Sequence, residues 1–285
     1  MRFFTRRSSG QPALRFIESD SPAPALLLLH GVTRCAEDFQ PLFDLLAPHW
    51  RIVALDHRGH GGSERVESYL VTDYVADAVR FVRDEMAAPV FIHGHSLGAM
   101  VAAAVATELP ALVRGVVLED PPFHTMGRHI HATIWEAQFI GTREAARRGG
   151  TVEQFTDALA DIRLPFAGGI VKRLGDFRDR ASLTWSAECL SRVDPEVLTP
   201  IIKGRWLEGY DMPGVFSRIR CPALLLQADP SSGGALADAE AQLARRAIAD
   251  CRVEQFSGAG HLLHWLQPER VAGLINQFGA RCGNA

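Results

Sequence analysis

The stretch Pro89-Val90-Phe91-Ile92-His93-Gly94-His95-Ser96-Leu97-Gly98-Ala99-Met100 limits what this chain can fold into more than any other. An apolar run stops at Gly94-His95-Ser96-Leu97-Gly98 and a run of small residues follows, so the segment reads as a strand, a sharp turn and a helix. Ser96 falls at the turn. A residue at so tight an elbow takes strained dihedrals, and the glycines on either side remove side chains that would strike the backbone. The strain lifts the Ser96 hydroxyl into open space. It also puts the Leu97 N–H in the first turn of a helix, where the donor lacks an intrahelical partner and the dipole favours negative charge. A Gly-x-Ser-x-Gly pentapeptide alone is common, so other stretches must decide whether Ser96 is a nucleophile.

At 285 residues and 47% hydrophobic content, the chain holds enough apolar material for one large α/β domain or two small ones. Lys and Arg number 30 against 33 Asp and Glu, with no long run of one sign. That balance points away from nucleic acid and anionic membranes and toward small-molecule partners. The five cysteines (Cys35, Cys189, Cys221, Cys251 and Cys282) are odd in number and lack a Cys-x-x-Cys spacing. They are expected to be reduced thiols rather than a disulfide framework or a zinc site. Arg2, Arg6 and Arg7 precede no apolar leader segment, and no stretch nears the ~18 apolar residues of a membrane span, so the expected location is the cytoplasm.

Taken in order, residues 2–6 and 14–18 read as strands joined by the turn residues Ser8-Ser9-Gly10, an antiparallel opening. The run Ala25-Leu26-Leu27-Leu28-Leu29 has the composition of a strand buried on both faces of a parallel sheet. An amphipathic stretch follows over 37–46, then a strand over 50–55, a Gly-rich loop, and a helix over 74–86 that leads into the elbow strand. Residues 113–119 form another strand. From there the alternation breaks into helical patterns over 130–148, 152–162, 183–193 and 195–203, with no strand expected among them. It resumes with strands over 223–227 and 252–256 and helices over 236–249 and 268–278. The expected fold is α/β: a mostly parallel, doubly wound sheet formed by residues 1–121 and 214–285, with a helical cap inserted over 122–213.

Four ordered motifs carry a resemblance: His30-Gly31 after the apolar run, Asp56-x-Arg58-Gly59-His60-Gly61-x-Ser63, Gly94-x-Ser96-x-Gly98, and Gly260-His261. Together they resemble the α/β-hydrolase family, including members similar to N-formylmaleamate deformylase and zearalenone lactonase. The resemblance spans the chain apart from the cap.

Ser96 needs a base, because a hydroxyl is scarcely ionised at neutral pH. His261 is the candidate, on a Gly-flanked loop at the sheet edge, and the resemblance implies the same position. His264 is expected to be a surface or packing residue. His30, His93 and His95 are expected to hydrogen-bond loop backbone, and Asp56 and Arg58 to tie down their loop. A buried acid must orient the imidazole. Asp120, at the end of the strand after the elbow helix, competes with Asp229 in the usual family loop, with Glu119 a third position. Leu97 N–H and Val32 N–H are the expected oxyanion donors. Thr33 and Arg34 are candidates to approach a substrate, with a solvent-facing loop the expected place for Arg34.

The cap carries Phe123, His124, Met126, His129, Trp135, Phe139, Phe155, Phe166, Trp185 and Trp206. About two thirds of these are expected to pack and the rest to roof a pocket, with Trp135 and Phe139 as the named substrate-binding candidates. The chemistry these residues imply is a serine hydrolase acting on a carboxylic ester, lactone or amide of a small to medium, partly apolar substrate, without metal or cofactor. Carbon–carbon bond hydrolysis of a diketone ring-fission product and a ligand-sensing receptor with a slow triad are the alternatives. Cofactor-free haloperoxidase or acyltransferase chemistry would require a non-water acceptor. Epoxide hydrolase and dehalogenase relatives need an Asp where Ser96 stands.

Overall fold

The computed structural model describes residues 3–86, 88–123 and 125–283. Among the described residues there are ten strands: β1 (Phe3–Arg7), β2 (Arg15–Ser19), β3 (Ala25–Leu29), β4 (Arg51–Leu55), β5 (Val90–His95), β6 (Val113–Glu119), β7 (Arg163–Pro165), β8 (Val171–Arg173), β9 (Ala223–Ala228) and β10 (Cys251–Phe256). Eight of them form one sheet in the order β1-β2-β4-β3-β5-β6-β9-β10. The first two pairings, β1 with β2 and β2 with β4, are antiparallel, and every later one is parallel.

The all-apolar β3 shows why such a run belongs at the centre. Ala25, Leu27 and Leu29 enter one core and Leu26 and Leu28 the other, all buried. Side chains alternate across a strand, so only a strand covered on both faces can bury every position. Helices α1 (Gln40–Leu46) and α11 (Pro268–Gly283) cover one face. Helices α2 (Val71–Glu85) and α3 (Leu97–Glu108) cover the other. In α3, residues 97–106 are all buried, because the helix lies between the sheet and further helices.

The carboxyl ends of the parallel strands gather their loops at one edge, where ligands bind in open α/β sheets. Between β6 and β9 lies a mainly helical insertion: α4 (Ile134–Arg148), α5 (Val152–Ala160), α6 (Arg180–Leu190), α7 (Thr199–Ile202) and α8 (Met212–Arg218). It departs from expectation in one respect. β7 and β8 pair antiparallel, Leu164 opposite Lys172. Gly168 and Gly169 both take φ of 74° between them, a turn that glycine allows and that joins two strands too short for a hydrophobic pattern. The chain then closes with α9 (Asp238–Ala247), α10 (Leu263–Leu266) and α11. Among the described residues, no helix is long and apolar enough to cross a membrane.

Candidate active site

Ser96 sits between β5 and α3 with φ 55° and ψ −115°. A Cβ on Gly94 would lie 2.2 Å from the Gly98 carbonyl oxygen, and one on Gly98 would lie 1.8 Å from that of Leu29. Both approaches are shorter than contact allows, so the elbow exists only with glycine at these positions. Leu97 opens α3, which leaves its N–H without an intrahelical acceptor. The loop after β3 packs beside the elbow: a Cβ on Gly31 would be 3.2 Å from Ser96 Cβ. Gly31 to Arg34 form a turn, with Arg34 N–H donating to the Gly31 carbonyl at 3.2 Å and Thr33 at φ 67°. Val32 is the first central residue of that turn, whose closing bond does not use its N–H.

At the end of β6, Asp120 is fully buried with φ 44°, a left-handed conformation that Asp tolerates better than most residues. Its Oδ2 lies 2.6 Å from His261 Nδ1. Three backbone N–H groups fix the carboxylate: Ala235 at 2.7 Å on Oδ2, and Ala228 and Leu236 at 3.2 Å on Oδ1. Asp229 lies elsewhere. It is partly exposed and caps its own turn, accepting from the Ser231 hydroxyl at 2.6 Å and from Ser231 N–H and Gly258 N–H, each at 2.8 Å. Those bonds hold its carboxyl below the usual range. The structure therefore brings His261 to Asp120 and not to Asp229. Both acids stand one residue past a strand, and what differs is that the Asp229 carboxylate is spent on Ser231 and Gly258.

The ring of His261, with 22% of the side chain exposed, faces two neighbours. His95 lies 4.6 Å away between centroids and Trp135, from α4, 6.1 Å away. Phe139, one turn along α4, is buried in the apolar core that the insertion shares with the sheet. Phe123, Met126, Phe155 and Trp206 are buried there too, while His124 lies outside the described residues.

Residues 26–274 match the model of the Alpha/beta hydrolase family. The chain belongs to the alpha/beta hydrolase family. Over 120 residues it is 36% identical to the 2-(acetamidomethylene)succinate hydrolase of Mesorhizobium japonicum, a match that covers 41% of this chain and 43% of the relative. The chain thus spans about half the length of the curated relatives it matches. Its fold is similar to that of N-formylmaleamic acid deformylase from Pseudomonas putida, at TM-score 0.76 and 18% identity, covering 96% of this chain and 99% of the other. The enol-lactonase of Burkholderia xenovorans aligns at TM-score 0.74 and 18% identity, with coverage of 96% and 99%.

In this alpha/beta hydrolase the histidines divide by partner. His30 Nδ1–H donates to the Gly31 carbonyl at 2.8 Å and Nε2 accepts His57 N–H at 3.0 Å. His60 donates to the Arg58 carbonyl at 2.8 Å and accepts Thr33 N–H at 3.3 Å. Burial holds them neutral, at about 4 and about 3 respectively. His95 Nε2–H donates to the His261 carbonyl at 3.0 Å, which anchors the loop. Asp56 accepts Ala36 N–H at 2.7 Å and Gly62 N–H at 2.9 Å, and Arg58 grips Asp77 through Nε and Nη2.

Three residues sit where the sequence reading did not put them. His264, expected as a surface or packing residue, is fully buried between two carboxylates: Nδ1 is 2.7 Å from Glu119 and Nε2 is 3.2 Å from Asp38. Burial opposes its charge, but the two carboxylates prevail and raise it to about 9. His93 faces Glu119 Oε2 at 3.1 Å rather than loop backbone, too poorly aligned for a hydrogen bond. Arg34 is buried, not solvent-facing, because the insertion reaches this turn: Trp185 Nε1–H donates to Asp38 at 2.8 Å, beside Arg34. Two of the five scattered thiols also meet here, Cys35 and Cys189, with sulfurs 3.5 Å apart.

Proposed function

We propose that the chain is a serine hydrolase that cleaves a carboxylic ester, lactone or amide of a small to medium, partly apolar molecule through an acyl-enzyme on Ser96. The observation that carries this reading is the 2.6 Å contact of His261 Nδ1 with the buried Asp120 carboxylate, at the same sheet edge as the strained Ser96 elbow. With Nδ1 engaged, Nε2 is the nitrogen that takes the Ser96 proton as Oγ attacks the carbonyl carbon. Leu97 and Val32 N–H groups receive the developing oxyanion. Nε2 then returns the proton to the leaving alcohol or amine, and water activated by the same nitrogen releases the acid. No step calls for a metal or cofactor. Trp135, beside His261, is a wall of the substrate site, and residues 122–213 act as its cap. The relatives' names, a substituted succinate hydrolase and an enol-lactonase, fit this class of bond.

The test is turnover of p-nitrophenyl acetate and butyrate by wild type and Ser96→Ala, with circular dichroism as the folding check. Loss of turnover by about a thousandfold or more in Ser96→Ala is expected. Equal rates in both proteins would overturn the reading and bring the carbon–carbon hydrolase and receptor alternatives forward.

A further inference from the structure

Arg34 is a buried cation with more donors than partners. It closes the turn that carries Val32, and Gly31 of that turn packs on Ser96. Its side chain is 8% exposed, and a guanidinium offers five N–H donors. Among the described residues its anionic neighbour is Asp38, at 3.7 Å, beyond hydrogen-bond range. Asp38 is also committed elsewhere: it accepts from Trp185 and Trp265 on Oδ1 at 2.8 and 3.1 Å, and from His264 on Oδ2 at 3.2 Å. The remaining Arg34 donors open through that narrow exposure, and an anion is the group that matches them best.

Arg178 approaches the same place from the insertion. Nε and Nη2 bond the Ser182 hydroxyl at 3.1 and 2.6 Å, and Nη2 reaches the Ser182 carbonyl at 3.3 Å and the Ser186 hydroxyl at 2.9 Å. Among the described residues, no carboxylate pairs with this guanidinium. Serines 182 and 186 flank Trp185 on α6, and Trp185 is the residue that binds Asp38 beside Arg34. Burial and the neighbouring charge of Arg34 together lower Arg178 from 12.5 to about 10. A buried guanidinium, Arg34, and a half-buried one, Arg178, thus lie on either side of the Trp185–Asp38 contact, next to the oxyanion turn, with two serine hydroxyls, one carbonyl and one committed carboxylate as their partners.

We propose that Arg34 and Arg178 form a carboxylate-binding subsite, so that the molecule cleaved at Ser96 carries a carboxylate apart from the acyl group under attack. The planar fork of arginine matches a carboxylate through paired hydrogen bonds. This subsite rests on the serine hydrolase reading for its catalytic meaning, though its binding is measurable without turnover.

The experiment compares mono-p-nitrophenyl succinate with the neutral p-nitrophenyl butyrate on wild type, Arg34→Gln, Arg34→Lys and Arg178→Gln. The quantity read is the ratio of kcat/KM for the charged over the neutral ester. Wild type is expected to favour the charged ester. Arg34→Gln is expected to lower the ratio about 10- to 100-fold, the size of a lost charge-assisted hydrogen bond, with Arg34→Lys recovering part of it and Arg178→Gln lowering it less. A ratio unchanged in both Gln variants overturns the subsite. If Arg34→Gln fails to fold, Arg178→Gln carries the comparison. A second arm reads Tm with disodium succinate, sodium chloride or inorganic phosphate at matched ionic strength. Stabilisation by succinate that both Gln variants lose supports the subsite even if Ser96→Ala shows that ester turnover does not depend on the serine. Equal stabilisation of all the proteins, or phosphate matching succinate, overturns a carboxylate site.

Discussion

Two acid–histidine pairs stand side by side in this molecule, built from the same two pieces of chain. Asp120 meets His261 at 2.6 Å, and Glu119, one residue earlier on β6, meets His264, three residues later in α10, at 2.7 Å. Glu119 is the last residue of β6 and Asp120, the next, turns into the left-handed region, so the two carboxylates leave the strand in different directions. The His261 ring keeps some exposure and one acid partner. His264 is sealed and held between two carboxylates, Glu119 and Asp38. A histidine with both nitrogens engaged by acids stays protonated and has no lone pair for a substrate proton. The same residue types therefore make a proposed base in one place and a fixed cationic strut in the other, and what separates them is the number of partners and access to solvent.

The largest expected effect separates the pairs by readout. Asp120→Asn removes the acceptor that sets the His261 tautomer and turns one of two oxygens that accept backbone N–H groups into an NH2, so kcat should fall about a thousandfold or more with a stability loss of only about 1–3 kcal/mol. Glu119→Gln leaves protonated His264 short of one buried partner, so chemical denaturation should show a loss of about 3–5 kcal/mol. Its remaining folded fraction should keep a kcat within about tenfold of wild type. If the two variants exchange these signatures, the roles assigned to the pairs are reversed.

A smaller effect appears in the pH dependence of stability. His264 is raised from 6.5 to about 9 in the folded chain. Its contribution is therefore complete below about pH 6.5 and is lost as pH rises through 9. Glu119 and Asp38 are lowered by their cationic neighbours, so their contribution is present above the ordinary carboxylate range and is lost as pH falls below it. The unfolding free energy should decline by about 3 kcal/mol between pH 6.5 and pH 9, and His264→Gln should flatten that limb while lowering the whole curve. A wild-type limb that is already flat over this range would mean that His264 is neutral.

The contrast also explains what the sequence made legible. β3 announces itself because Ala25 to Leu29 are all apolar, and Ser96 because the glycines at 94 and 98 answer a purely local steric demand. The choice between Asp120 and Asp229 is not local. It depends on how the segment 228–236 divides its N–H groups: Ala228, Ala235 and Leu236 turn to Asp120 beside His261, while Ser231 closes a turn on Asp229. His264 is buried because Asp38, far away in the chain, arrives opposite it. Leu262, Leu263, Trp265 and Leu266 around it were an apolar signal, but that pattern carries no information about a charged partner. Arg34 is hidden for the same reason, since α6 lies about 150 residues further along the chain.

The smallest expected effect tests whether Asp229 belongs to this comparison at all. Its carboxylate bonds Ser231 and Gly258, and its own N–H donates to the Ala259 carbonyl at 2.8 Å. It therefore ties the β9 loop to the segment that leads into His261. Asp229→Asn keeps an acceptor oxygen and the backbone bond, and the residue is partly exposed, so the loop should hold. Turnover should stay within about fivefold of wild type, against the thousandfold expected for Asp120→Asn. The kcat/KM split tells position from chemistry. A modest rise in KM with kcat preserved marks a loosened loop, whereas a fall in kcat approaching that of Asp120→Asn would make Asp229 the acid that His261 uses during turnover and Asp120 its partner only in the resting enzyme.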